Sequence, residues 1–251
     1  MTIELEQRVT RVQPRLSLHR ILPPVLLAGY GILILSLYLR HVLAWYINPT
    51  YIVPTVAAAG VLLALSVVGR EDACDDGCTC TTRSPLTYGL LALPLVLGLA
   101  VPPHSLAAFS ARLRGPEVAG LTVVHGIAVK RVSLSVDTRS FSIEDWAGAL
   151  SADPNPHDYL GKPVQVTGMV LHDSAGVPPG DVMVMRYLIT CCIADARPIG
   201  VVVHDPTGAL KDNEWVTVTG KMGEQTYQGQ AVSVVMPSKV LQVKAGNPYI
   251  Y

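Results

Sequence analysis

Three stretches of this chain, residues 21–39, 51–69 and 85–103, contain no Asp, Glu, Lys or Arg. Each holds 19 residues. A helix rising about 1.5 Å per residue needs roughly 20 apolar residues to cross a hydrocarbon core of about 30 Å. Every window is therefore long enough to span a bilayer, and the expectation is three transmembrane helices between residues 21 and 103. Composition agrees, because 50% of the 251 residues are hydrophobic and 15% are charged, against about a quarter charged in an average soluble domain. Three buried core helices joined by short polar connectors would be an odd way to begin a soluble fold.

The basic residues Arg8, Arg11, Arg15 and Arg20 precede the first window, as they would in a secretion signal. The apolar run is longer than the roughly 7–15 residue core of a signal, and Leu39-Arg40-His41 offers no small-residue cleavage site. Met1-Thr2-Ile3 lacks the glycine of a myristoylation site. The first helix is thus expected to stay. The tail arginines together with Arg70 and Arg83 lie on one side of the three windows, and Arg40, Arg112 and Arg114 on the other. Positive charge favours the cytoplasmic side, which places the tail in the cytoplasm and everything beyond about Pro103 outside it. The net charge is zero and no basic run interleaves with aromatics, so nucleic acid is not an expected partner; the lipid bilayer is.

The expected order is a cytoplasmic tail over 1–20, a three-helix membrane region over 21–103 with a Cys/Asp-rich loop at 70–84, a connector over 104–140, and a mostly β extracytoplasmic domain over 141–251. In the second window, Ala57-Ala58-Ala59-Gly60 forms a small-residue surface on which another helix can pack closely. Pro94 removes a backbone donor midway along the third and should kink it.

Ser142 stands three residues before Asp145 in the capping pattern, and Ile143, Trp146, Ala147 and Leu150 follow at helical spacing. This predicts a short amphipathic helix from 143 to about 151, stopped by Asp153-Pro154-Asn155-Pro156. From Gly161 the period falls to two: Val164, Val166 and Val170 alternate with Gln165, Thr167 and Met169, and Val216 and Val218 alternate with Trp215, Thr217 and Thr219. Further strands are expected over 182–190, 199–204 and 231–235, the last extended by 240–243. Turn signals stand at Pro178-Pro179-Gly180, Asp205-Pro206-Thr207-Gly208 and Gln228-Gly229. About five strands in some ninety residues fit an OB-like five-stranded barrel, and a small open sandwich fits nearly as well.

Cys74, Cys78 and Cys80 crowd the second connector beside Asp72, Asp75 and Asp76. In the cytoplasm thiols stay reduced, so the cluster reads as metal binding rather than as disulfides. Three thiolates and a carboxylate supply the four donors of a tetrahedral zinc, and soft thiolates suit copper(I) as well. The alternative is a flexible acidic loop with incidental cysteines. Cys191 and Cys192 are adjacent, ahead of Asp195. In a regular strand their side chains point to opposite faces and cannot share an ion. A shared role requires the strand to have ended or bulged there, and otherwise the two are small buried hydrophobes. Histidines 104, 125, 157, 172 and 204 are scattered, and no Ser/His/Asp arrangement, phosphate loop or HExxH helix is present. Nothing here points to an enzyme.

The string Leu188-Ile189-Thr190-Cys191-Cys192-Ile193-Ala194-Asp195-Ala196, with Tyr51-Ile52-Val53-Pro54 and Gly161-Lys162-Pro163-Val164, resembles a bacterial family of YcgQ-like membrane proteins described as permease subunits. The resemblance implies membrane helices, an extracytoplasmic domain bearing the double-cysteine motif, and a larger multi-spanning permease as partner. It also implies a link to zinc-responsive regulation. Family members often carry a His/Asp-rich second connector, where this chain has cysteines and no histidine. The function so implied is that of an accessory subunit of a permease linked to divalent metal. A membrane-tethered extracytoplasmic binding module and a thiol redox protein using Cys191 and Cys192 are the alternatives.

Overall fold

The computed structural model describes residues 18–68, 85–115, 117–118, 137–173, 176–205 and 207–251. The chain divides into two compact units. One comprises Met1–Leu43 and Ile52–Pro102, the other Ala44–Tyr51 and Pro103–Tyr251.

The first unit is helical: α1 (Leu18–Leu39), α2 (Ile52–Val68) and α3 (Pro85–Ala100). α1 ends where His41 adopts a left-handed φ of 59°. The amide of Val42 then bonds back to Leu37 O at 3.1 Å and that of His41 to Tyr38 O at 2.9 Å, a Schellman closure that satisfies the last carbonyls. Two segments, Ile21–Leu39 and Pro49–Val68, are long and apolar enough to cross a membrane. The third window departs from expectation. It gives a helix of 16 residues, about 24 Å at 1.5 Å per residue, and Pro102-Pro103 follow its end, where a proline cannot continue a helix.

Glycine sets how closely these helices approach. A Cβ built on Gly31 of α1 would meet Leu63 Cγ at 2.7 Å and Ala59 O at 3.0 Å, and one on Gly98 of α3 would meet Leu33 Cδ2 at 3.0 Å. Ala59 is buried, whereas Gly60 faces open space. The small-residue surface read from the sequence does pack on a helix, through Ala59 rather than Gly60.

The second unit is built on a barrel. Its strands are β1 (Glu117–Val118), β2 (Pro163–Leu171), β3 (Asp181–Leu188), β4 (Arg197–His204), β5 (Trp215–Tyr227), β6 (Gln230–Gln242) and β7 (Tyr249–Ile250). β2 pairs antiparallel with β3 and β5, β3 antiparallel with β4, β4 parallel with β6, and β6 antiparallel with β5. The circuit β2-β3-β4-β6-β5 closes on itself, so the five strands make a closed barrel rather than an open sandwich. Glycines let the strands bend. Gly200 of β4 lies opposite Met185, where an added Cβ would fall 2.2 Å from Val184 O. The β5–β6 hairpin turns at Gln228-Gly229, with φ of 51° and 78°, the left-handed pair that a tight hairpin requires.

Val164, Val166, Val184, Val201, Val203, Val216, Val218 and Val235 belong to the interior core. The same core holds residues of α5 (Ile143–Ala152), among them Trp146, Ala147 and Leu150. Ser142 caps α5 as its sequence predicts: its hydroxyl accepts the Asp145 amide at 3.1 Å, and the Asp145 carboxylate accepts the Ser142 amide at 2.9 Å. A second core covers the other faces of β3 and β4. Met183, Met185, Tyr187 and Val202 pack there with Ala108 and Ala111 of α4 (Ala108–Arg114), a helix that lies inside the stretch read as a connector. The apolar run 121–129 within that stretch lies outside the described residues.

Candidate functional site

β3 stops at Leu188, and the chain bends through Thr190 and Cys191 before a single 3₁₀ turn, Ile193–Asp195. The condition for a shared role of the two cysteines is therefore met. Outside a regular strand their side chains no longer alternate, and Cys191 Sγ lies 3.7 Å from Cys192 Sγ. One donor atom from each of Cys191, Cys192 and Asp195 falls within 4.8 Å of the others. Among the described residues this is the one group of three His, Cys, Asp or Glu side chains placed to hold a metal ion. Both thiols are free, and Cys191 is exposed.

Two sets of bonds fix this bend from opposite sides. The Asp195 carboxylate accepts the backbone amides of Thr190 at 3.0 Å, Cys191 at 2.7 Å and Cys192 at 3.4 Å. From the other side comes Ala44–Tyr51, the segment joining α1 to α2. Ile47 forms an antiparallel bridge with Cys192, the Asn48 amide donates to Cys191 O at 3.0 Å, and the Ile193 amide donates to Tyr46 O at 2.7 Å. The Asn48 side chain reaches Ile189 O at 3.3 Å, and the Tyr251 hydroxyl donates to Ala44 O at 2.5 Å. Arg114 of α4 completes the frame, donating to Ile193 O at 2.8 Å and Ala196 O at 2.9 Å.

The electrostatics follow from these contacts. The Cys191 thiol is pushed up to about 11, first by its hydrogen bond to the Asp195 carboxylate and then by the Cys192 sulfur. Burial alone would raise the Asp195 carboxyl, but the Cys191 thiol and the three amides outweigh it and hold that carboxyl below its ordinary value. Cys191 is thus held as the thiol and Asp195 as the carboxylate.

The other residues singled out by sequence divide clearly. Asp72, Cys74, Asp75, Asp76, Cys78 and Cys80 all lie outside the described residues, as does His125. His172 and Arg112 meet at Asp212: the His172 amide donates to that carboxylate at 2.8 Å and Arg112 forms an ion pair with it, fastening α4 to the barrel. His204 Nδ1 lies 2.7 Å from the buried Asp181 carboxylate, and His157 Nδ1 lies 3.5 Å from Glu224. The cation bonded to the backbone beside the cysteines is Arg114 of α4. Sequence reasoning had no signal for Tyr46, Ile47 and Asn48, because their contribution is made by backbone and one amide.

The DUF1980 N-terminal domain matches residues 22–117 and the DUF1980 C-terminal domain matches residues 133–251. A search of curated proteins gave no match, and neither did a search of solved structures. Between them the two matched segments take in the described helices α2 and α3 and the entire barrel, and the chain therefore carries the N-terminal and C-terminal domains of the DUF1980 family.

Proposed function

We propose that this chain is a membrane-anchored accessory subunit of a permease for divalent metal ions, zinc foremost, working beside a larger multi-spanning partner. The observation that carries this reading is the convergence of Cys191, Cys192 and Asp195, two thiols and a carboxylate in the β unit, within 4.8 Å. A thiol redox role is less well supported, because it needs a thiolate of lowered pKa and the Cys191 thiol is pushed up to about 11. The closed five-stranded barrel, read as OB-like, supplies the scaffold and not the chemistry.

A topological argument supports the same reading. The segment between α1 and α2, Ala44–Tyr51, belongs to the compact unit that holds the barrel. Both must then lie in one compartment, so α2 and α3 together cross the bilayer an even number of times. The segment Pro49–Val68, which contains α2, is long and apolar enough to span, and on this reading α3 returns. At about 24 Å, α3 needs only modest thinning of the bilayer, at a cost of fractions of a kcal/mol per ångström. With α1 crossing as well, the proposal makes the chain multi-pass, and the excess of Arg in the tail then favours a cytoplasmic tail and a barrel outside.

An impermeant thiol reagent applied to whole cells should label Cys191 in a variant lacking the other four cysteines. Cells without this chain should show altered zinc content, restored by the parent sequence and not by the C191S/C192S pair. Unchanged metal content in the deletion, with Cys191 unlabelled from outside, would sink the proposal.

A further inference from the structure

We infer that Cys191, Cys192 and Asp195 form an open exchange site for a tetrahedral divalent transition ion, one that leaves its fourth position for another donor. This rests on the metal-permease reading and names the ion class and the manner of binding.

The sulfur spacing is the first support. Two thiolates at about 2.3 Å from a tetrahedral ion stand about 3.8 Å apart, and Cys191 Sγ and Cys192 Sγ are already 3.7 Å apart. Neighbouring cysteines seldom offer such a bite, since successive side chains in a strand diverge. Here the bite is held from both sides by Asp195 and by Ala44–Tyr51. A carboxylate oxygen at about 2.0 Å from the same ion would stand about 3.5 Å from each sulfur, a short closing movement from a cluster within 4.8 Å.

The second support is the third donor. The Asp195 carboxylate is held against the same bend by the amides of Thr190, Cys191 and Cys192, and one of its oxygens lies within 4.8 Å of both sulfurs. The exchange balances as two thiols, one carboxylate and M²⁺ giving one bis-thiolate carboxylate complex of net charge −1 and two H⁺. No oxidant or reductant takes part.

The third support is openness. Three protein donors leave one tetrahedral position unfilled, the pattern of sites that exchange or react rather than of closed structural ones. Cys191 is exposed, which gives a competing donor its path in.

The test uses the full chain in detergent, with Cys74, Cys78 and Cys80 replaced by serine so that the loop thiols contribute nothing. Titration with Co²⁺ should give one ion per chain, an intense tetrahedral d–d envelope and thiolate-to-cobalt charge transfer, all reversed by Zn²⁺. A small chelator should strip the ion without unfolding the barrel. Cys191→Ser and Cys192→Ser should each abolish one thiolate's share of the charge transfer, with circular dichroism unchanged. Weak octahedral bands, or an unchanged signal in the double serine variant, would overturn the inference. If those results came with zinc bound by the parent chain through its loop cysteines and altered zinc content in the deletion strain, the permease reading would stand without this site. If instead the cobalt site formed as described while cellular zinc stayed unchanged, the site would stand and the permease reading would fall.

Discussion

The helical unit and the barrel unit are both rich in apolar residues, yet they spend them in opposite ways. In the helices the large side chains face outward: Val53 is 77% exposed, Leu86 72% and Leu99 69%. Their close contacts are made at glycines, Gly31 against Ala59 and Leu63, and Gly98 against Leu33. In the barrel unit the largest side chains lie innermost, with Trp146, Tyr187 and Leu150 all essentially inaccessible. The barrel is held by removal of apolar surface from water, whereas helices that cross a bilayer, as proposed for this unit, gain nothing that way and depend on close packing. One unit should therefore be hurt by losing bulk and the other by gaining it.

The strongest challenge to that contrast is Trp146→Ala. Trp146 makes edge contacts with Phe141 at 5.2 Å and Tyr159 at 6.1 Å between ring centroids. Truncation should cost about 3–5 kcal/mol, read by urea unfolding of the barrel with Trp45 and Trp215 as fluorophores. A loss below about 1 kcal/mol would mean that α5 is not integral to the core. Next in size is Gly200→Ala. Its new Cβ would stand 2.2 Å from Val184 O and 2.9 Å from Met185 Cα, both backbone atoms that can move only by shifting a strand. Overpacking of this kind costs about 1–3 kcal/mol, so the urea midpoint should fall; an unchanged midpoint would refute the strand-to-strand approach.

Acid should separate the two units without any mutation. Asp195, Asp205 and Asp212 are each pushed up by burial, but hydrogen bonds outweigh that and hold all three below the ordinary carboxylate value. A lowered folded-state pKa contributes stability that is present above the unfolded value of about 3.9 and is lost as pH falls below it. The described residues of the helical unit contain no Asp or Glu. All three tryptophans, Trp45, Trp146 and Trp215, belong to the barrel unit. Below about pH 4 tryptophan emission should therefore shift to the red while helical circular dichroism persists. Simultaneous loss of both signals would show that the units do not unfold separately.

The sequence was most legible where one side of an element meets water. β2 and β5 alternate, Ser142 and Asp145 form a local cap, and Gln228-Gly229 is a turn by its own chemistry, so strands, helix and hairpin could be read directly. β3 and β4 are buried on both faces by two cores, and Val182-Met183-Val184-Met185 accordingly shows no period from which to place its ends. α4 escaped notice because it spans two turns and buries only Ala108 and Ala111. At the site, cysteine and aspartate types could be picked out by spacing along the chain. Their frame could not, because Tyr46, Ile47 and Asn48 act mainly through the backbone, and a backbone bond carries no residue signature. The cost of reading residues 51–69 as one charge-free window is also visible: Tyr51 belongs to the barrel unit, and α2 begins only at Ile52.

The smallest expected effect sharpens the comparison most, because it asks the helices alone. Gly31 and Gly60 both sit in apolar helices, and both would gain the same bulk on replacement by valine. At Gly31 the added Cβ meets Leu63 Cγ at 2.7 Å and the Ala59 carbonyl at 3.0 Å, while at Gly60 it meets nothing within 4 Å. Valine at residue 60 points into surroundings that already accept Val61 at 57% exposure, so it should leave thermal stability in detergent unchanged. Valine at residue 31 must push α1 from α2. Pairwise interactions between helices in a membrane are worth about 0.6 kcal/mol and reach about 1.7 at most, so a loss of roughly 1 kcal/mol is expected for Gly31→Val. If Gly60→Val were the more damaging of the two, the face of α2 that contacts α1 would have been assigned wrongly, and α2 would have to pack through Gly60 instead of Ala59.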